Sequence, residues 1–178
     1  SLGNVSDNIS RGNHLAHLLG NINENLFSLN ILSYQLYQTD PESLDLLNNH
    51  YCQAVRLGSL RSDIRSIEPV LRDTDILGFN LDAVRQSDSP ASLNCSPNGL
   101  YAEEVCQIAR YGGISDRLSI AGIFGFNLEK DLNSTTSQLV AQVIWHLIDG
   151  YISRKNDSPL KNVNGVKKYI VDMGAPMQ

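Results

Sequence analysis

Reading apolar against polar positions along the chain gives short apolar runs alternating with helical stripes. Leu29-Asn-Ile-Leu-Ser-Tyr-Gln35 mixes the two classes in a strand-like way. Asp40-Pro41 then supplies an N-cap followed by Pro at the first helical position, which predicts a helix to about Tyr51. Gln53 to Arg56 reads as one more brief strand before Gly58, after which Leu60, Ile64, Ile67 and Leu71 fall at helical spacing. That second helix is expected to be amphipathic and to end near Pro69 or just after. Asp75-Ile-Leu-Gly-Phe-Asn-Leu-Asp82 is too short for a lone helix and apolar enough for a buried strand of a parallel sheet, with its polar residues gathered at its end.

Arg85 to Asn98 is a loop with Ser, Asp, Asn and Pro, long against the usual connection of about 4 to 6 residues, and such loops in compact domains are often functional. Leu100 to Arg110 reads as a helix closed by Gly112-Gly113, and Leu118 to Phe126 as the next strand. Asn133 or Ser134 is expected to cap the longest helix. Its residues Leu139, Val140, Val143, Ile144, Leu147, Ile148 and Tyr151 recur at the spacing of one broad buried stripe. Val166 to Val171 is a last candidate strand, and the Asn-, Ser- and Gly-rich first thirty residues offer at most a short helical turn around His14 to Leu19. Regular alternation of strand and helix predicts an α/β domain with a mostly parallel sheet and right-handed crossovers. With no repeat, low-complexity tract or linker, residues 1–178 read as a single domain.

Composition narrows the function. The 178 residues are 42% hydrophobic and 19% charged, enough to bury a core. No apolar run approaches the roughly 20 residues that cross a bilayer, and Ser1 to Ser10 lacks the regions of a signal peptide, so no membrane role is expected. Fourteen Lys and Arg against 19 Asp and Glu leave a charge of -5 without a basic block, which argues against a nucleic-acid partner. Cys52, Cys95 and Cys106 are odd in number and lack CxxC spacing; neither a disulfide framework nor a zinc knuckle is expected, and a reducing cytoplasm is the expected home.

In an open parallel sheet, ligands collect beyond the carboxyl ends of the strands. Asn80 and Asp82 lie two apart and share one side of a strand, so their oxygens are able to converge on one cation, and Phe124 to Asn127 marks a second strand end. Spacing alone leaves the plainer alternative open, in which Asp82 caps the loop that follows. His14 and His17 could share a helical face and bind a metal, but lie among Asn residues with no carboxylate cluster near; His50 and His146 read as ordinary helix residues. Glu103-Glu104 offers a general base or, more simply, first-turn acids favoured by the helix dipole. Phe124 and Phe126 read as core, and Trp145 as flanking the long helix's stripe, packed against a neighbouring element or subunit. No GxSxG, P-loop, HExxH or GxGxxG occurs.

Four stretches together carry a family resemblance. Asn30-Ile-Leu-Ser-Tyr-Gln with Thr39-Asp-Pro-Glu42, Asp75 to Ala83, Pro97-Asn-Gly-Leu-Tyr-Ala-Glu-Glu104, and Ile120 to Tyr151 resemble, in order, the second half of the ureohydrolase family of arginases, agmatinases and formimidoylglutamases. Arg85 to Pro90 and Tyr101 to Tyr111 are most similar to the divergent, formimidoylglutamase-like branch of Bacteroidetes-type bacteria. The resemblance implies a three-layer α-β-α, arginase-like fold, homo-oligomers, and hydrolysis of a C–N bond in a small linear amidine (formiminoglutamate, agmatine or arginine type) by water bridging two manganese ions.

The family's late Asp-x-Asp motif falls on Asn80 and Asp82, so by resemblance these are the metal positions, and only Asp82 keeps its carboxylate. The acid at the end of the next strand falls on Gly125. The family's upstream His and Asp-Ala-x-x-Asp strand have no counterpart before Asn30, and the chain is therefore expected to be the C-terminal portion of a larger domain with a degenerate metal site. Two expectations follow: a metal-dependent amidine hydrolase, or a catalytically inactive binding or oligomerisation module on the same fold.

Overall fold

The computed structural model describes residues 27–39 and 52–155. The expected helix from Asp40 to Tyr51, the strand Val166 to Val171, and His14, His17 and His50 lie outside the described residues. Within them, strand β1 (Leu29–Tyr34) is followed by β2 (Cys52–Arg56), helix α1 (Leu57–Ser62), α2 (Glu68–Arg72), β3 (Ile76–Asn80), α3 (Ala102–Ile114), β4 (Ile120–Phe124) and α4 (Thr135–Ile152). β1 pairs with β2 and β3 with β4, both parallel. The mostly parallel α/β reading therefore holds, as two two-stranded sheets among the described residues.

The helix expected across Leu60 to Leu71 is broken. Asp63 leaves helical dihedrals, its carboxylate takes the Arg65 N–H, a 3-10 turn covers Ile64–Ile67, and α2 begins with Pro69 in its first turn. Proline has no N–H to give and clashes with the carbonyl four residues back, so a continuous helix is impossible there. The apolar spacing still does its work: Leu60, Ile67 and Leu71 are fully buried.

Gly112-Gly113 does not close α3, which runs on to Ile114. The pair serves packing instead. A Cβ at Gly112 would collide with the Leu77 side chain of β3. At Gly113 it would overlap the Leu147 carbonyl of α4, and at Gly150 it would overlap the Arg110 carbonyl and lie 2.9 Å from Gly113 Cα. Backbone meets backbone where α3 and α4 cross, and Leu77 and Phe79 of β3 close the core from the sheet side with Val105, Ile108, Leu139 and Val143. Each such buried apolar side chain contributes at most about 1.5–3 kcal/mol relative to exposure.

The start of α4 also differs from expectation. Ser134 stands in a left-handed conformation (φ 54) and its side chain caps nothing. Asp131 caps in its place, accepting from the Thr136 N–H at 3.0 Å and the Ser137 N–H at 2.8 Å. The broad stripe is only half covered: Leu139 and Val143 are buried, while Ile144, Trp145, Ile148 and Tyr151 are exposed, Trp145 at 61%. Among the described residues the Trp145 ring meets the His146 ring in a T-shaped contact, with centroids 4.9 Å apart.

The strand expected to be wholly buried is buried on one face. Ile76 and Asn80 alternate outward, joined on β4 by exposed Ile120 and Phe124. Phe124 and Phe126 are thus not core; the Phe124 ring lies flat enough over the outer sheet face that a Cβ at Gly122 would come within 2.7 Å of it.

Candidate functional site

Parallel pairing in the register Asn80↔Phe124 brings the carboxyl ends of β3 and β4 to one edge. The three positions singled out by motif meet there. Asn80 Oδ1 accepts the Asp82 N–H at 3.1 Å, opening a 3-10 turn over Leu81–Ala83 whose apolar member, Leu81, is buried. This is the ordinary local use of Asn at a turn, satisfying a backbone donor that the strand has released. Gly125 follows Phe124 with φ +85, and a Cβ built on it would stand 2.8 Å from Asn80 Oδ1 and 3.5 Å from Asp82 Oδ1.

The Asp82 carboxylate is half-buried and already engaged. Oδ1 accepts the Asn94 backbone N–H at 2.9 Å, and Oδ2 accepts the Asn94 side-chain Nδ2 at 2.9 Å. Asn94 belongs to the long loop, and the loop is stitched down elsewhere as well. Leu93 N–H donates to Gly125 O at 3.1 Å, Asn127 N–H to Ala91 O at 2.9 Å, and Ala91 N–H to Thr136 Oγ1 at 3.0 Å. Asn94 carries no local signature, because its partner lies twelve residues away; the length of the loop is the signal that points toward it.

A second cluster sits at the other end of the same loop. Arg61 donates from Nε to Glu104 Oε1 at 2.8 Å and from Nη2 to Glu104 Oε2 at 3.1 Å, and Glu104 Oε2 also takes the Tyr101 N–H at the start of α3. The guanidinium carbons of Arg61 and Arg85 stand over the Tyr101 ring at 4.0 and 4.2 Å, and Arg85 pairs with Asp88 at 2.8 Å. Burial pushes the Glu104 carboxyl up, but the Arg61 hydrogen bond and charge and the Tyr101 amide outweigh it and hold it below the usual carboxylate range. Asp88 is held low in the same way by Arg85 and the Ala102 N–H. Glu104 is thus occupied as a cap and ion-pair partner, the plainer of its two readings. Each charge has an opposite neighbour, which leaves no unbalanced group to recruit a ligand.

An open groove of about 260 Å³ lies at the opposite end of β4, lined by Leu118, Ile120, Leu147, Ile148, Tyr151 and Arg154. The Arg154 guanidinium is already spent on the Gly113 and Leu118 carbonyls, so the groove presents mainly apolar surface. His146 is half-buried on α4 and contributes to neither cluster described above. Among the described residues no group of three or more His, Cys, Asp or Glu is placed to hold a metal ion, and no helix is long and apolar enough to cross a membrane.

No protein-family profile matches the chain. Formimidoylglutamase of Bacillus subtilis (strain 168) is 29% identical over 151 residues, which are 82% of this chain and 44% of that protein. Among solved structures, formimidoylglutamase from Bacillus subtilis subsp. subtilis str. 168 superposes with a TM-score of 0.76 at 21% identity, over 86% of this chain and 51% of that one. Trypanosoma cruzi formiminoglutamase with Mn2+2 superposes at 0.72 with 17% identity over 80% and 50%, and arginase from Bacillus cereus at 0.58 with 18% identity over 66% and 43%. The architecture is therefore the arginase fold, and the chain spans about half the length of the relatives it matches.

Proposed function

We propose that this chain, 29% identical to a formimidoylglutamase over the stretch matched and sharing the arginase fold, is part of a formimidoylglutamase-like hydrolase of C–N bonds in linear amidines, with a metal corner that is degenerate in this chain. Residues 1–178 are proposed as one α/β domain, the C-terminal portion of a ureohydrolase-like domain. The substrate class is a small molecule of the formiminoglutamate, agmatine or arginine type.

The observation that carries the degenerate-corner part is the hydrogen-bonded state of Asp82, Asn80 and Gly125. A pair of divalent manganese ions brings four positive charges and asks for a set of oxygen ligands rich in carboxylate. This corner supplies one carboxylate, held by Asn94, one amide oxygen turned to the Asp82 N–H, and at Gly125 no side chain at all. These residues do not fit the pair. Activation of water has to come from groups outside the corner, and no catalytic step is assigned to Asp82 or Asn80.

A second reading has its own supporting observation. The exposed apolar surface of α4, with Ile144, Trp145, Ile148 and Tyr151, favours an inactive binding or oligomerisation module on the same fold. The separating experiment is a turnover assay of the full-length protein that carries these residues, with added manganese, against formiminoglutamate, agmatine and arginine. Manganese-dependent hydrolysis of any of the three sustains the hydrolase reading. A folded full-length protein with no turnover above the uncatalysed rate moves the assignment to the inactive module.

A further inference from the structure

We infer that Asp82 is the anchor of the 84–100 loop, and that in this chain it fastens backbone where the fold's resemblance would have it bind a cation. The inference rests on the degenerate-corner part of the proposed function, and not on whether the chain turns substrate over.

A carboxylate has lone pairs beyond the two used here, so its pairing with Asn94 does not by itself exclude a cation. Its surroundings weigh against one. Both donors of Asn94 point hydrogens at the carboxylate, one at each oxygen. Asn80 Oδ1, the amide at the matched position, already accepts the Asp82 N–H and carries no charge. The site where an acid would complete a ligand set is Gly125, and a Cβ there would press on Asn80 Oδ1. The residues at 80, 94 and 125 are thus mutually dependent: the amide at 80 fits because 125 has no side chain, and Asn94 caps the single carboxylate left.

What the carboxylate achieves is mechanical. From Ala91 to Ser96 the loop is held by Thr136 Oγ1, by Gly125 O, by the Asn127 N–H and by Gln38 Nε2 on Ser96 Oγ. Asp82 adds the charge-assisted member of that set, and it does so with two parallel bonds to a single residue, the arrangement that gives most geometric definition. The loop across the ends of β3 and β4 is thereby a fixed plug whose position Asp82 sets.

The test is amide hydrogen exchange over residues 91–96 of the full chain, in metal-free buffer and again with 1 mM MnCl2, for the parent, Asn94→Ala and Asp82→Asn. Asn94→Ala removes an exposed side chain and is expected to leave folding intact; Asp82→Asn removes the charge and one of the two acceptor oxygens. If Asp82 is the anchor, both substitutions speed exchange in metal-free buffer, Asp82→Asn by roughly tenfold or more, and manganese leaves the parent's rates unchanged. Two results overturn the inference. One is exchange unchanged by both substitutions. The other is manganese slowing exchange in the parent and losing that effect in Asp82→Asn, which would make the carboxylate a cation ligand. Neither readout depends on turnover, so the inference and the hydrolase reading fail separately.

Discussion

Gly125 is the position at which the corner's chemistry and its backbone are least separable. Replacing it by Ala adds one methyl group and no charge. The left-handed dihedral, φ +85, costs an L-residue about 1–2 kcal/mol. The second cost comes from Asn80, whose Oδ1 would be 2.8 Å from the new Cβ. That oxygen ends a rotatable side chain, so it swings away instead of clashing, and the price is its bond to the Asp82 N–H. Because Asn80 is exposed, that bond is placed at the low end, about 0.5–1 kcal/mol. The dihedral term dominates, and the whole loss is about 1.5–3 kcal/mol. At about 2–4 °C per kcal/mol for a domain of this size, Tm falls by about 3–12 °C.

A double-mutant cycle with Asn80→Ala, read by urea unfolding, separates the two terms. In the Asn80→Ala background the cost of Gly125→Ala should shrink to the dihedral term alone. A Gly125→Ala protein as stable as the parent would refute the dihedral argument, and strictly additive effects would refute the overlap with Asn80. The consequence for function is direct: Gly125→Glu, the acid wanted by the family resemblance, starts from the same deficit and cannot rebuild a ligand set unless Asn80 changes with it.

Two further outcomes are expected. Gly150→Ala forces α3 and α4 apart where their backbones touch; gaining about 1 kcal/mol of helix propensity does not offset the overpacking, so unfolding in urea should show a net loss of about 1–3 kcal/mol. Asp88, Glu104 and Asp131 all have folded-state carboxyls held below their usual range by hydrogen bonds from Arg85, Arg61 and Ser137 together with backbone amides. A depressed folded pKa means that protons bind the unfolded state better. Their stabilisation is therefore complete above the ordinary carboxylate range and drains away as pH falls through it toward the lower folded values, and Arg61→Ala should raise the acid midpoint of unfolding followed by circular dichroism.

Much of the architecture was written locally. Short apolar runs bounded by turn residues and the helical stripe of the longest helix located β1, β2, β3, β4 and both long helices, because these signals are local to the backbone that presents them. The errors cluster where long-range packing overrides a local signal. Gly112-Gly113 looks like a helix stop until α4 arrives and requires a bare backbone at the crossing. Ser134 looks like a cap until Asp131 reaches Thr136 and Ser137 first. The apolar stripe of α4 announces burial, but pattern alone does not say how much of it the partners cover.

The candidate site divides in the same way. The sequence marked Asn80 and Asp82 at one strand end and Phe124 to Asn127 at another; the parallel register that pairs Asn80 with Phe124 brought the two ends to one edge. What becomes of the Asp82 carboxylate was a tertiary decision. Asn94 reaches it across a loop whose path depends on contacts with Gln38, Gly125, Asn127 and Thr136, and tertiary structure likewise pairs Arg61 of α1 with Glu104 of α3 over 43 residues of sequence. Hydrogen bonds between side chains distant in sequence leave no periodic trace in it; they exist only once the sheet ends and the helices that hold the loop have been brought together.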